Sequence, residues 1–282
     1  MKFYIVIPAH NEADFIRQTL HSLAAQTLLP KKVVVVNDGS TDDTATVVAA
    51  FAEKYKFVTL LNITSSQEHL PGSKVIRAFN EGLASLDHDY DIICKFDADL
   101  IFPKNYLETI VKTFQNNPKC GMAGGFCTIK KQQKWTVENL TNKDHIRGAL
   151  KAYRKECFKA IGGLKPAMGW DTADELLAQY HGWEVHTKAS LLVKHLRPTG
   201  KVYNKNARYK QGEAFYTLRY GFLLTAIASM KLALRKGKLV LFVDYIKGYY
   251  KAKKARVSYL VSKEEGLFIR NLRWRKIRQK LV

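Results

Sequence analysis

The sequence predicts an α/β fold, a mostly parallel central sheet with flanking helices, continued by a basic helical C-terminal extension. Three observations predict it. Two strand–turn–helix units follow each other directly, and βα units in series build parallel sheets. Three successive strands end in polar or acidic clusters, His10-Asn11-Glu12, Asp38-Gly39-Ser40 and Asp97-Ala98-Asp99. Residues 201–282 hold 21 Lys and Arg against 4 Asp and Glu, which is +17 of the chain's +21.

The first unit is a run of β-formers from Phe3 to Ile7 that stops at Pro8, followed by a helix with Phe15, Ile16, Leu20 and Leu23 on one face. The second runs from Lys32 to Val36, turns at Asn37 to Thr41 and enters a helix over Asp42 to Tyr55. A third strand is expected at Phe57 to Leu61, a helix at Lys74 to Leu86 and a buried-type strand at Tyr90 to Phe96. After a helix at Leu107 to Phe114, Gly121 to Phe126 reads as a strand that tolerates close backbone approach. Lys130 to Asp144 is polar and reads as an irregular loop. Arg147 to Ala160 reads as strand into helix, stopped by Gly162-Gly163. Asp171 to His181 is a short helix ended by Gly182, and Glu184 to Leu192 a strand. Beyond His195 and Pro198 the character changes, with helical apolar positions over Phe215 to Leu234 and Leu239 to Tyr250. This divides the chain into residues 1–205, with a first half of about 1–100 and a second of about 101–205, and an extension of 206–282.

With 46% apolar residues over 282 positions the chain can bury a sizeable core without metal or disulfide. The basic extension suits a polyanion, either an anionic membrane surface or nucleic acid. Cys94, Cys120, Cys127 and Cys157 form no CxxC pair and no zinc-finger spacing, so they are expected to be reduced and buried. The N-terminal apolar run is too short for a signal peptide, and Tyr220 to Met230 falls short of the roughly 18–20 residues of a crossing helix. A cytoplasmic chain is expected, peripheral on a membrane face if the extension binds lipid.

Asp97 and Asp99, two residues apart at a strand end, can both reach a hard divalent cation, Mg²⁺ or Mn²⁺, and through it a diphosphate. In isolation such a triplet also fits a surface turn. Asp38, beside the tight turn at Gly39, can accept a base N–H, and it also fits an N-cap. Pro8 to Glu12 is more polar than a helix entry requires, with Asn11 a capping candidate. The chain contains neither GxGxxG nor GxxxxGK[ST], so it is expected to bind its nucleotide in another way.

Residues 3–40, with PAHNE and VVVVNDGSTDDT, together with Lys74 to Asn80 and KFDAD, resemble the nucleotide-binding half of the family 2 glycosyltransferases. The resemblance runs over residues 3–200 and implies a GT-A fold and an inverting enzyme that moves a sugar from a nucleotide diphosphate sugar. It implies that Pro8, His10, Asn11 and Glu12 line the nucleoside pocket, that Asp38 contacts the base, and that Lys74, Arg77 and Asn80 serve the donor. Asp97 is implied on the donor and on the metal, with Asp99, and His195 matches a His that in some members completes the metal site. The family's base is an Asp of an ED-like motif before a Gly. Counting back from Gly182 selects Asp171, with Trp170 in place of the usual Glu, and a small register change selects Asp174 or Glu175. Arg154 falls where a basic residue faces the diphosphate or acceptor, although a helical Arg also simply snorkels.

Family members commonly continue into helices that lie on or cross a membrane. Here Phe215 to Ala233 and Val240 to Tyr250 would lie in the interface, near a lipid-linked or cell-surface polysaccharide acceptor. A tail packed on the first 205 residues, or forming a dimer contact, fits the same pattern. Three rival readings stand beside this one. A nucleotidyltransferase would carry a Gly-rich basic first loop, which PAHNE is not. A nucleic-acid binder using Tyr249, Tyr250, Tyr259 and Trp274 leaves the acidic strand ends without a role. An inactive member would bind donor without turnover.

Overall fold

A computed structural model describes residues 1–64, 72–138, 143–197 and 208–279. The first two units form as expected: β1 (Phe3–Ala9), α1 (Ala13–Ala24), β2 (Lys32–Asp38) and α2 (Thr44–Lys54), followed by β3 (Val58–Ile63), α3 (Ser73–Ala84) and β4 (Ile92–Phe96). Ile5, Ile7, Val33, Val35, Ile92 and Ile93 are fully buried, because a parallel strand covered on both faces takes apolar side chains on both.

The sheet order is β3-β2-β1-β4-β8-β6-β9-β5, where β5 is Leu100–Ile101, β6 is Cys120–Lys131, β8 is Leu150–Arg154 and β9 is Glu184–His195. β3, β2, β1 and β4 are mutually parallel. Beyond them the sheet is mixed, with β8 antiparallel to β4 and to β6, and β9 parallel to β6. The chain moves outward from β1 through β2 to β3 and then returns to the other side of β1 as β4. That reversal opens a crevice at the carboxyl ends of β1 and β4, the place where open α/β sheets bind ligands.

Two local expectations change. The stretch expected to be irregular from Lys130 contains β7 (Lys134–Val137), which pairs with the end of β6 as a hairpin, while residues 139–142 lie outside the described residues. Its residues are mostly exposed, so no apolar alternation marked the strand. The helix expected over Phe215 to Leu234 is two, α7 (Lys210–Thr217) and α8 (Gly221–Arg235), broken where Arg219 and Gly221 adopt positive φ. The division expected near residue 205 also lies outside the described residues.

α9 (Val240–Lys254) and α10 (Lys263–Arg278) complete the extension, the latter opened by a capping box of Ser262 and Glu265. α7 and α9 meet backbone to backbone at Gly212 and Gly248, where a Cβ would come within 1.9 Å of the Tyr245 carbonyl and 2.1 Å of the Tyr209 carbonyl. Phe215, Tyr216, Tyr220, Tyr249 and Ile269 belong to the same core as the sheet. Phe268 on α10 meets Tyr180 of α6 (Trp170–Tyr180) edge-on at 5.5 Å, and Lys276 pairs with Asp144 at 2.7 Å. The four cysteines are free and buried, as expected. Among the described residues, no helix is long and apolar enough to cross a membrane.

Candidate functional site

Three strand ends meet in the crevice. From β1, His10 Nδ1 lies 2.7 Å from the Asp38 carbonyl, and Asn11, at φ 55°, accepts the Thr41 N–H at 2.8 Å through Oδ1. The first two loops are thereby tied together, with Pro8 paired to Val36 in the sheet below. From β2, Asp38 is buried and its carboxylate lies 3.7 Å from Lys74 Nζ on α3. Of the other α3 candidates, Arg77 is exposed, and Asn80 donates to the Leu164 carbonyl at 3.5 Å.

The third strand end is held from beneath. Thr19 of α1 donates its hydroxyl to the Ala98 carbonyl at 2.7 Å and accepts the Leu100 N–H at 3.0 Å, which fixes the turn carrying Asp97 and Asp99. Asp97 pairs with the buried Lys95. Burial would raise the Asp97 pKa, but Lys95 outweighs it and lowers it. β9 closes the group from the far side: His195 Nε2 lies 3.3 Å from Asp99 Oδ2, and the ligand atoms of Asp97, Asp99 and His195 lie within 4.8 Å of one another. His195 Nδ1 is buried without a hydrogen-bond partner. Two carboxylates and one imidazole, which retains a buried nitrogen without a partner, fit a divalent cation that takes oxygen and nitrogen donors, such as Mn²⁺ or Mg²⁺.

Two residues past His195, Arg197 pairs with Glu12, so the end of β9 reaches the first strand end as well. Burial pushes the Glu12 carboxyl up to about 7, with Arg197 opposing and Asp99 and Asp97 adding to the rise.

Asp171 approaches from the other side of one short segment. The Asp97 N–H donates to the Ala149 carbonyl at 2.8 Å, while a Cβ on Gly148 would lie 3.2 Å from Asp171 Cβ. Residues 147–149 are therefore flanked by Asp97 and Asp171, and the Arg147 charge lowers the pKa of both. Asp171 is in the first turn of α6 and half-buried. Burial opposes its ionisation, but His145, Lys151 and Arg147 hold it at about 2.

Asp174, one turn on, is buried with its carboxylate 2.8 Å from Lys151 Nζ and 2.6 Å from the Tyr153 hydroxyl, which donates to it. Glu175 accepts from the Ile146 N–H at 2.8 Å and from His145 Nδ1 at 2.9 Å, and lies 3.2 Å from Lys151. These two acids anchor α6 to β8, whereas Asp171 alone of the three is partly open to solvent. Arg154 lies at the opposite end of the β4–β8 ladder from Asp97. It donates to the carbonyls of Cys120 at 2.9 Å and Asn117 at 3.3 Å, away from the strand end that carries Asp97.

His145 links Glu175 to Asp171, 3.8 Å from its Nε2. Burial would lower the His145 pKa, yet the two carboxylates outweigh it and push it up to about 9. A raised histidine stabilises the fold fully below its unfolded value of 6.5 and loses that contribution as pH rises through about 9. His145→Asn should therefore melt below the wild type at pH 6, with the gap closing by pH 9 to 10. A gap that does not change with pH would remove the imidazolium from this role.

Residues 4–164 match the profile of glycosyl transferase family 2. The chain belongs to glycosyl transferase family 2. A similar relative is the probable glycosyltransferase YdaM of Bacillus subtilis (strain 168), 36% identical over 244 residues, which cover 78% of this chain and 57% of the relative. The poly-beta-1,6-N-acetyl-D-glucosamine synthase of Staphylococcus aureus (strain MW2) is 28% identical over 160 residues, covering 57% of this chain and 34% of that one. The chain thus spans about half or less of the length of these curated relatives.

Solved structures share the fold of this family 2 chain. The mannosyltransferase PcManGT from Pyrobaculum calidifontis, in complex with GDP-Man and Mn²⁺, has a TM-score of 0.60 at 18% identity over 95% of this chain and 78% of that one. S. aureus TarS 1–349 in complex with UDP-GlcNAc has a TM-score of 0.57 at 18% identity, covering 92% and 76%.

The sequence reading of this family member missed Lys95, His145, Arg147, Lys151 and Arg197. Lys95 and Lys151 did carry a signal, since each interrupts an apolar strand, and a charge inside such a strand must be paired. Their ammonium groups lie 5.4 and 5.7 Å from the Trp170 ring, so one aromatic face meets both cations.

Proposed function

We propose that the chain transfers a sugar from a nucleoside-diphosphate sugar to an acceptor hydroxyl with inversion at the anomeric carbon. The observation that carries this reading is the pair of carboxylate sites flanking residues 147–149, the Asp97–Asp99–His195 group on one side and the half-open Asp171 on the other.

In this reading residues 1–205 hold the donor and the chemistry. Pro8, His10, Asn11 and Glu12 wall the nucleoside, Asp38 accepts from the base with Lys74 beside it, and Arg77 and Asn80 extend the donor side along α3. Asp97, Asp99 and His195 would hold Mg²⁺ or Mn²⁺, which when bound supplies a Lewis acid for charge on the diphosphate. Asp171 accepts the proton of the acceptor hydroxyl as its oxygen bonds to the anomeric carbon from the face opposite the diphosphate. The bond from that carbon to the diphosphate oxygen breaks, and its electron pair leaves with the nucleoside diphosphate. Arg147, between the two carboxylate sites, adds fixed positive charge. Asp174 keeps α6 in place through Lys151 and Tyr153.

The relatives support a nucleotide sugar as donor and polysaccharide synthesis as the setting. In this reading the acceptor is a sugar or lipid-linked molecule. Residues 206–282 would hold the enzyme at an anionic membrane surface, on the cytoplasmic face. The test is the melting temperature with UDP-, GDP- and dTDP-sugars, each with and without Mn²⁺. Donor at about a hundred times Kd adds about 2.7 kcal/mol to the folded state, a rise of several degrees. One nucleotide class acting with metal supports the reading, and no shift under any condition overturns it.

A further inference from the structure

The extension's two central helices leave an apolar face bare. Leu223, Ile227, Met230 and Leu234 follow one another along α8 at spacings of four, three and four, which puts them on one side of the helix. Leu223 and Leu234 are 60% and 63% exposed. Leu239, Val240 and Val243 continue the bare surface at the start of α9, with Leu239 at 63% and Val240 at 56%. The seam between the helices is already filled by Ala233, Leu241 and Tyr245, so these outer residues are not its packing. Between the helices runs a shallow groove of ≈ 570 Å³, lined by Ala226, Ile227, Met230, Leu234 and Phe242 with Lys231 at its rim. Single exposed apolar residues are ordinary, whereas a continuous apolar face on two adjoining helices marks an interaction surface.

The charge around this face selects its occupant. From Gly221 to Ser262 there are nine Lys and Arg and one acid, Asp244. Asp244 is buried and paired with Arg208 at 2.5 Å, so it contributes no negative charge to the surface. Lys236 and Lys238 form the turn at the tip of the hairpin, and Lys247 lies exposed further along α9. A second copy of the chain would bring the same positive charge against it and be repelled. Nucleic acid is gripped by basic residues with aromatic stacking, whereas aliphatic side chains outnumber the aromatic Phe222, Phe242 and Tyr250 on these two helices. An apolar strip bordered by cations with no exposed acid matches acyl chains beneath anionic headgroups.

We infer that the α8–α9 hairpin is the membrane-docking element of this chain, laying Leu223, Leu234 and Leu239 into the interface of an anionic bilayer with Lys236, Lys238 and Lys247 at the headgroups. It deepens the membrane part of the proposed function by separating the docking face from the apolar residues that serve the core. Phe215, Leu224 and Tyr249, which the periodicity alone would have placed in the lipid, are buried in the protein.

The experiment is co-sedimentation of the full chain with vesicles of phosphatidylcholine alone and of phosphatidylcholine with phosphatidylglycerol. It needs neither donor nor acceptor, so its outcome is separate from that of the sugar-transfer test. Binding is expected to the anionic vesicles only, and to weaken as salt rises. Leu223→Ser with Leu234→Ser and Leu239→Ser should reduce it about a hundredfold, and Lys238→Glu with Lys247→Glu about tenfold. All five side chains are exposed, so the melting temperature should hold. Three results would overturn the inference: no binding at low salt, equal binding to neutral and anionic vesicles, or a dimer in sedimentation velocity that the leucine substitutions abolish. Retention on an oligonucleotide without vesicle binding would assign the basic surface to nucleic acid instead.

Discussion

Asp171→Asn is expected to lower turnover by about 10²–10⁴-fold, the usual contribution of a positioned base, while donor-induced stabilisation stays at the wild-type level. The asparagine keeps the shape of the side chain and its place in the first turn of α6, but cannot take the acceptor proton. Asp171 is held ionised at about 2, so its carboxylate carries no proton of its own anywhere in the neutral range. Its neighbour provides the control. Asp174→Asn leaves the buried Lys151 with a weaker partner and should reduce stability, because breaking a buried ion pair strands the remaining charge. Its activity should fall only as far as the folded fraction does. Release of nucleoside diphosphate from the stabilising donor, over a panel of sugar and lipid-linked acceptors, measures both variants. If Asp171→Asn keeps full turnover while Asp174→Asn abolishes it at unchanged stability, the base is Asp174.

The second large effect belongs to the donor side. Asp97→Ala with Asp99→Ala should abolish the metal-dependent rise in melting temperature and lower turnover by more than about 10²-fold, since charge stabilisation of a leaving group is among the largest single contributions to catalysis. The substitution also frees Lys95 from Asp97 and His195 from Asp99. Stability without ligand is therefore measured alongside. A double variant that folds and still responds to donor plus Mn²⁺ as the wild type does would remove these acids from the metal site.

Much of this site is written locally. Asp38 and the Asp97-Ala98-Asp99 turn each close a run of buried strand residues, and the strand end itself determines where they lie, so neighbouring residues suffice to find them. The family resemblance rested on the same stretches, and the matched profile covers them. What the strand ends could not announce is their support. Thr19, 81 residues before Leu100, holds the acidic turn, and Arg197 reaches Glu12 from 185 residues away. Nothing in the local pattern around either residue marks such a partnership.

The choice among Asp171, Asp174 and Glu175 shows the same division. All three sit within five consecutive residues, and sequence spacing separated them only by an assumed register. Burial against Lys151, Tyr153 and the Ile146 N–H sets two of them apart from the third. The hairpin strand β7 escaped because its side chains face solvent on most positions, leaving no apolar period to read.

By itself, then, the sequence determined the βα order, the parallel half of the sheet and the acids at its strand ends, because periodicity and turn chemistry act over a few residues. Only the tertiary structure decided which distant cations and hydroxyls meet those acids. It also decided which side of an apolar helix such as α8 is buried, since Leu224 and Leu223 are adjacent, equally hydrophobic residues that differ only in what packs against them.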